Sequence, residues 1–502
     1  MLRQINPRVF YPPLLLLLLT VGYSFFDYDG FTTTIKGINA WVLNHFGWLF
    51  SWSSFLFLLL LIVVYFSPLA GRRIGGPEAV PLLSRGRWFA ISICTTIATG
   101  ILFWGCAEPL FHYGAPPTGL GIEAASAESE RFALSTMYLH WSFTPYAIYC
   151  VTGLTFALCF YNLRQPFRVG SLLFPLFGKR NLLRDDVLDT LCLYALILGM
   201  SASLGSGILA MMGGAERLFG FETSNGLIAL IGGLVIGCFI VSSVTGLQRG
   251  IKWLSTINIT AFIGIAAYVF FLGNPLAILT DSAGALVDYV VNFVPRSTNV
   301  GAGIEESWLE SWSIFYWANW FAWAPISSLF LGKLARGYTV RQYIHFNLIL
   351  PSVFAIVWMS VFSGTTLQFN ELLDQAFYDL MQTDGEQSVM YAMLAEFPYG
   401  TALSMFTLFI IFLSYVTAAD SNISAMSSIS ARGFDAPESE APAAVKIVWG
   451  LIIGGLTYVM LSSQGIDGIR ILSVLGGFPA LFIILLAAMA LVKLLIARRD
   501  VG

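Results

Sequence analysis

The chain has 502 residues, of which 57% are hydrophobic and only 11% charged, with a mean hydropathy of +0.75 and a formal net charge of −3. Soluble domains average about 25% charged residues, so this composition excludes a soluble protein and is that of an integral membrane one. With no GxxxxGK[ST] loop there is no ATPase drive in this chain, so transport energy, if any, must come from a gradient or from exchange.

Apolar runs long enough to cross a bilayer, about 20 residues each, recur near 11–27, 47–67, 88–107, 133–160, 188–213, 223–245, 253–272, 308–332, 344–365, 399–430, 443–462 and 471–497. The expected fold class is therefore an all-α integral membrane protein of about twelve transmembrane helices, one domain over 1–502. The first span follows "MLRQINPR" and carries "LLLLLL", but no small-x-small cleavage site succeeds it, so it reads as a retained helix.

The third span, "TTIATGILFWGCAEPLFHY" (95–113), is broken by Gly100, Gly105 and Pro109. The fourth contains "HWSFTPYAIY" (140–149). On one helix, at 100° per residue, Trp141, Tyr149 and Tyr146 fall within an arc of about 140°. The fifth, "LGMSASLGSGILAMMGG" (198–214), is a helix of Gly, Ser and Ala suited to close packing. The eighth contains "FYWANWFAWAP" (315–325), where Asn319, Trp323, Tyr316 and Trp320 lie within about 100°. The tenth, "LSYVTAADSNISAMSSIS" (413–430), places Asp420, Ser421 and Asn422 at lipid depth and is expected to be interrupted.

Lys and Arg concentrate in the N-terminus, the even-numbered loops and the C-terminus; the odd loops hold only Lys36, Arg131, Arg217, Arg296 and Arg470. Both termini are therefore expected on the cytoplasmic side. The six cysteines sit in predicted spans without CxxC spacing, and the four histidines form no HExxH pattern. Neither set offers a metal site, no cluster has catalytic spacing, and an enzyme is not expected. Nucleic acid is not an expected partner.

The aromatic-rich stretches are the chemical signal. Trp41, Trp48, Trp52, Trp308 and Trp312 lie near predicted span ends and read as an interfacial belt. Residues 316–323 begin several residues inside their span and read better as a cage. A quaternary ammonium has no N–H to donate, so indole faces hold it through their quadrupoles, at roughly 0.5–2 kcal/mol per ring.

On these residues the chain resembles the betaine–choline–carnitine transporter (BCCT) family, over nearly its whole length from "PRVFYPPL" onward. "FYWANWFAWAPISSLFLGKLARGYTVR" (315–341) is similar to that family's eighth helix and following basic loop, "HWSFTPYAIY" to its fourth, and "GILFWGCAEPLFHY" to its third. The resemblance implies two inverted five-helix repeats, 88–275 and 305–502, preceded by two extra helices within 1–87. It also implies a homotrimer in the cell inner membrane, in contact with lipid. Trp141, Tyr146 and Tyr149 match the cage lining of the fourth helix, and Trp320 and Trp323 match cage and pathway aromatics of the eighth. Tyr113 and Asn319 complete the expected substrate-binding set. Asn319 departs from the family's common Trp-Ala-Trp-Trp; its amide either meets a polar group of the substrate or bonds a neighbouring helix.

The family contains sodium symporters and ion-independent exchangers, the latter with an arginine in the seventh span. Here that position is Asn258, and no cation lies between Trp253 and Phe271. No cofactor is expected beyond sodium as coupling ion. Its expected surroundings are Ser414 and Thr417, with Ala418 where the family often has Ser, and backbone near Cys94 and Ile97. Asp420 is the intramembrane carboxylate expected to matter for coupling or structure; proton coupling through it ranks below sodium. The function implied is secondary import of a methylated ammonium or sulfonium zwitterion, such as glycine betaine, choline, carnitine or dimethylsulfoniopropionate. The alternatives are a carnitine-type exchanger and a taurine-like zwitterion transporter.

Overall fold

The computed structural model describes residues 5–96, 100–178, 181–245, 248–431 and 442–497. Among these there are helices and turns and no strand, only two isolated β-bridges. In chain order the helices are α1 (Pro7–Phe26), α2 (Tyr28–Phe66), α3 (Arg85–Thr96), α4 (Gly100–Gly114), α5 (Ala127–Trp141), α6 (Phe143–Ala157) and α7 (Phe174–Phe177). They continue with α8 (Leu182–Phe219), α9 (Asn225–Thr245), α10 (Gln248–Leu272), α11 (Pro275–Val291), α12 (Phe293–Thr298), α13 (Glu306–Leu309) and α14 (Phe315–Leu334). The last are α15 (Val340–Ile344), α16 (Leu350–Leu372), α17 (Ala376–Asp384), α18 (Val389–Ala395), α19 (Gly400–Ile429), α20 (Ala443–Gln464) and α21 (Ile466–Ile496).

Nine helices among the described residues are long and apolar enough to cross a membrane, or ten if the pair α10 and α11, bent by 104°, is one span. The two expected spans that miss this criterion are 88–107 and 308–332. Both are helical, as α3 with α4 and as α14, but the first falls into two helices flanking residues that are not described. The second is built from Trp, Tyr, Asn and Ser, which hydropathy counts as polar although indoles bury readily.

Three further expectations change. The tenth span is not interrupted: α19 runs unbroken for 30 residues. Its polar side chains bond back into the helix, Thr417 to the Ser414 carbonyl (2.9 Å) and Asn422 to that of Ala418 (2.8 Å). The break falls in the fourth span, at Ser142 between α5 and α6, whose φ −113° and ψ −117° lie outside the helical region. Finally, α2 has 39 residues, or about 58 Å at 1.5 Å per residue, so the stretch expected as the first loop is helix.

Connections alternate between two faces. On one face Asn6 N–H donates to the Ser430 carbonyl (2.9 Å) and its side-chain amide to Asp186 (3.1 Å). Thr190 donates to the Arg8 carbonyl (3.1 Å), and Trp449 Nε1 to Ser430 Oγ (3.1 Å). The same face joins Gly75 to Asn162 (3.0 Å), Tyr161 to the Lys333 carbonyl (2.6 Å), and Lys493 to the Leu176 carbonyl (3.4 Å). It carries the basic loops. The opposite face joins Gly119 to Glu305 (2.9 Å), Gln368 to Asp281 (3.1 Å) and Gln464 to Thr32 (3.2 Å).

The helix that carries the aromatic stretch, α14, is surrounded by α6, α8 and α21. Such proximity needs small residues. A methyl group at Gly477 of α21 would come within 2.3 Å of the Ala318 carbonyl oxygen of α14. Gly477→Ala is therefore expected to cost about 1–3 kcal/mol by overpacking, read as a lowered thermal midpoint in detergent. Gly364→Ala is the control, since nothing lies within 4 Å of the added methyl. Equal midpoints would mean that α14 and α21 do not approach this closely.

Candidate functional site

The break at Ser142 positions the site. Ser142 Oγ donates to the Tyr138 carbonyl (2.5 Å), turning the hydroxyl back onto α5. Pro145 has no N–H, so the carbonyl of Trp141 loses its intrahelical donor. Next to it, the His140 carbonyl accepts Trp320 Nε1–H at 3.3 Å across to α14. A discontinuity inside the bundle thus exposes backbone that only a neighbouring side chain or a ligand can satisfy.

Trp320 is the hub of the aromatic cluster. Its ring centroid lies 5.6 Å from Trp141, 6.2 Å from Tyr146 and 5.7 Å from Tyr149, with Trp141 and Tyr149 edge-on. Tyr316, one turn earlier, meets Trp141 at 5.4 Å. All five rings are buried, with Trp141 and Trp320 retaining 6% exposure each. Because Trp141 belongs to α5 and the two tyrosines to α6, the single-helix wheel does not describe them. The three rings meet Trp320 because the chain bends between them.

The remaining expected substrate residues lie around this cluster rather than in it. Trp323 turns toward α8, where a methyl at Gly199 would stand 3.2 Å from its ring. Asn319 Oδ1 accepts from Ser473 Oγ of α21 at 3.3 Å, so the amide oxygen is engaged by a neighbouring helix. Tyr113, at the end of α4, has Glu130 and Glu371 as its charged neighbours. Trp308 and Trp312, expected in an interfacial belt, pack against His112 at 5.2 and 4.6 Å.

That histidine belongs to a group the sequence reading passed over. Glu108 on α4 is fully buried, as are His112 one turn later and His140 at the end of α5. Glu108 Oε1 is 3.1 Å from His112 Nε2 and 2.6 Å from His140 Nδ1, while Oε2 accepts from Trp141 Nε1 (2.9 Å) and from the Tyr316 hydroxyl. His140 Nε2 lies 2.9 Å from Ser313 Oγ, carried on a π-turn just before α14. The signal in the sequence was Glu108 and His112 at helical i, i+4 spacing. His140, far along the chain, could be joined to them only by folding. The three ligand atoms lie within 4.8 Å of one another. Ligands of a tetrahedral zinc stand about 3.3 Å apart for bonds near 2.05 Å, and 2.6 Å is closer than that, so the contact is a hydrogen bond rather than a coordination geometry.

Of the residues expected around an ion, Ile97 lies outside the described residues and the Cys94 side chain is not described, although Cys94 sits in α3. Asn258 is buried on α10, and its amide oxygen has no hydrogen-bond partner among the described residues. Ser414, Thr417 and Asp420 are buried on α19, which packs against α10; Ala418 is half-buried there. Buried oxygen donors suit a hard cation such as sodium.

Comparison with known proteins places the chain among membrane transporters. Over 98% of the chain and 97% of its partner, it is 30% identical to an ectoine/hydroxyectoine transporter of Virgibacillus pantothenticus. It is 31% identical to glycine betaine transporter 1 of Vibrio parahaemolyticus, over 91% and 87%. With the high-affinity choline transport protein of Escherichia coli it shares 29% identity over 98% and 72%. Among solved structures, a Na+-coupled sialic acid symporter aligns with a TM-score of 0.45 and 19% identity, over 89% of this chain and 85% of that one, a likeness too slight to build on. A family model for betaine/carnitine/choline transporters matches residues 8–500, and the chain, a multi-pass membrane protein, belongs to that family.

Proposed function

We propose that the protein is a secondary active importer of a small zwitterion or cation with a methylated ammonium or sulfonium head, coupled to sodium. The observation that supports it most is the convergence of Trp141, Tyr146 and Tyr149 on Trp320 in the buried centre of the bundle. Four rings at roughly 0.5–2 kcal/mol each supply several kcal/mol, sufficient with other contacts for micromolar-to-millimolar affinity. The relatives named for glycine betaine, choline and ectoine fit a site selective for compact solutes of this charge type.

Sodium enters as co-substrate. Asn258 supplies an amide oxygen, Ser414 and Thr417 supply hydroxyls, and α3 near Cys94 and Ile97 supplies backbone. The two five-helix repeats, the trimer and the cytoplasmic placement of the basic face belong to the same proposal. The trimer is read by native mass spectrometry.

The deciding experiment is a competition panel in proteoliposomes, with and without sodium: glycine betaine, choline, carnitine, dimethylsulfoniopropionate, ectoine and taurine. Saturable uptake inhibited by the methylated ammonium and sulfonium compounds, and not by taurine, is the expected result. Inhibition by taurine alone would overturn the cage. Full uptake without sodium, driven by internal counter-substrate, would favour the exchanger.

A further inference from the structure

Four donors converge on one carboxylate, and counting their protons shows that the group is one short. The nitrogens facing Glu108 are His112 Nε2 and His140 Nδ1. With both imidazoles neutral, each carries its proton on that nitrogen and a lone pair on the other. The His140 lone pair accepts from Ser313 Oγ. That of His112, Nδ1, is buried without a hydrogen-bond partner among the described residues. In this state the cluster holds one net negative charge among fully buried groups, which is costly. A single proton on either lone pair makes it neutral.

Among the described residues nothing packed around the cluster neutralises it otherwise. Arg470 of α21 lies over the Trp312 ring at 4.8 Å, within electrostatic reach of His112, but it is paired with Asp467 at 3.0 Å. Arg296 lies over Phe132 at 4.8 Å and is paired with Asp288 at 2.7 Å. From α14 the facing group is Tyr316, whose hydroxyl donates to Glu108.

We infer that Glu108, His112 and His140 form a proton-binding site whose occupancy is linked to loading of the aromatic cage. The link is Trp141. Its N–H donates to Glu108 Oε2 while its ring meets Trp320 and Tyr316. An anionic acceptor on an indole N–H pushes electron density toward the ring face, which strengthens attraction for a cation; a proton on the cluster withdraws it. The net negative charge also favours a cationic head about a ring's width away. Proton and substrate head therefore oppose one another, and affinity falls as pH falls. Glu108 is a positioning residue here, acting through Trp141. The ligand half of this inference rests on the transport reading above; the proton half does not.

The test uses full-length protein in lipid. Nitrogen-15 NMR of labelled histidines follows His45, His112, His140 and His345 between about pH 5 and 8, the range in which imidazoles commonly titrate. His112→Gln and His140→Asn assign the signals and keep a donor toward Glu108. In parallel, glycine betaine and choline affinities are measured by calorimetry across the same range. The expected result is that the His112 signal titrates, and that both ligands bind more weakly at the acid end, by up to about tenfold per pH unit for one linked proton. That step disappears in His112→Gln or in Glu108→Gln, whichever folds. If neither imidazole changes protonation in the range, the site is overturned whatever the ligand. If one titrates while affinity stays flat with pH, the linkage is overturned. If one titrates and neither ligand binds, the proton site stands and the transport reading is what fails.

Discussion

Trp320→Leu is expected to weaken substrate binding by roughly tenfold to a hundredfold, about 1.4–2.7 kcal/mol, while Trp48→Leu leaves it unchanged. Trp320 is the ring that Trp141, Tyr146 and Tyr149 all contact, so its loss removes one π-face and unseats three more. Trp48 is 62% exposed and bonds only the carbonyl of His45, one turn earlier. Trp312, an attractive control on the sequence alone, is unsuitable because it packs on His112. Leu also removes the donor to the His140 carbonyl and leaves that oxygen unpaired, a folding cost of about 1–3 kcal/mol. The thermal midpoint without ligand must therefore be recorded beside the calorimetric affinity. Trp320→Phe keeps a smaller ring and loses the N–H, and its affinity should fall between the two. If Trp320→Leu binds substrate as well as Trp48→Leu does, the aromatic cluster is packing and nothing more.

Replacing external sodium by potassium is expected to reduce concentrative uptake at least about tenfold, because an inward gradient of one coupled ion at that ratio supplies about 1.4 kcal/mol. Thr417→Ala should raise the sodium concentration for half-maximal uptake several-fold and leave the pH profile alone. The reasoning is local. The Thr417 hydroxyl donates its proton to the Ser414 carbonyl, which orients the oxygen. Flux measured against sodium at fixed membrane potential reads both. An unchanged sodium curve in Thr417→Ala removes that residue from the ion's surroundings.

Most of the helices were legible because lipid-depth composition leaves few alternatives to a helix. What the sequence hid was discontinuity and convergence. The polar run around Asp420 looks like a broken helix, yet Ser, Thr and Asn can bond their own helix at i−3 and i−4, and α19 stays whole. The "WSFTP" stretch looks like ordinary helix, and the break is there, since Pro145 cannot donate and Ser142 can bond backward. The aromatic residues announced themselves by type, but only the fold separates Trp320, which meets the others, from Trp323, which leans on Gly199. The buried acid and its two imidazoles were invisible for a simpler reason. Pattern searches look for histidines near one another in the chain, and His112 and His140 become neighbours only when α4 packs on α5.

The clasp near the first residues has a mechanical consequence. Asn6 holds both the carbonyl at the foot of α19 and a carboxylate at the head of α8, and Ser430 is in turn gripped by Trp449 of α20. Any rocking motion that parts these ends must break at least one of the two bonds to this asparagine and drag the leading helix along with the other end. The amino end therefore travels as a rider on whichever half it keeps hold of.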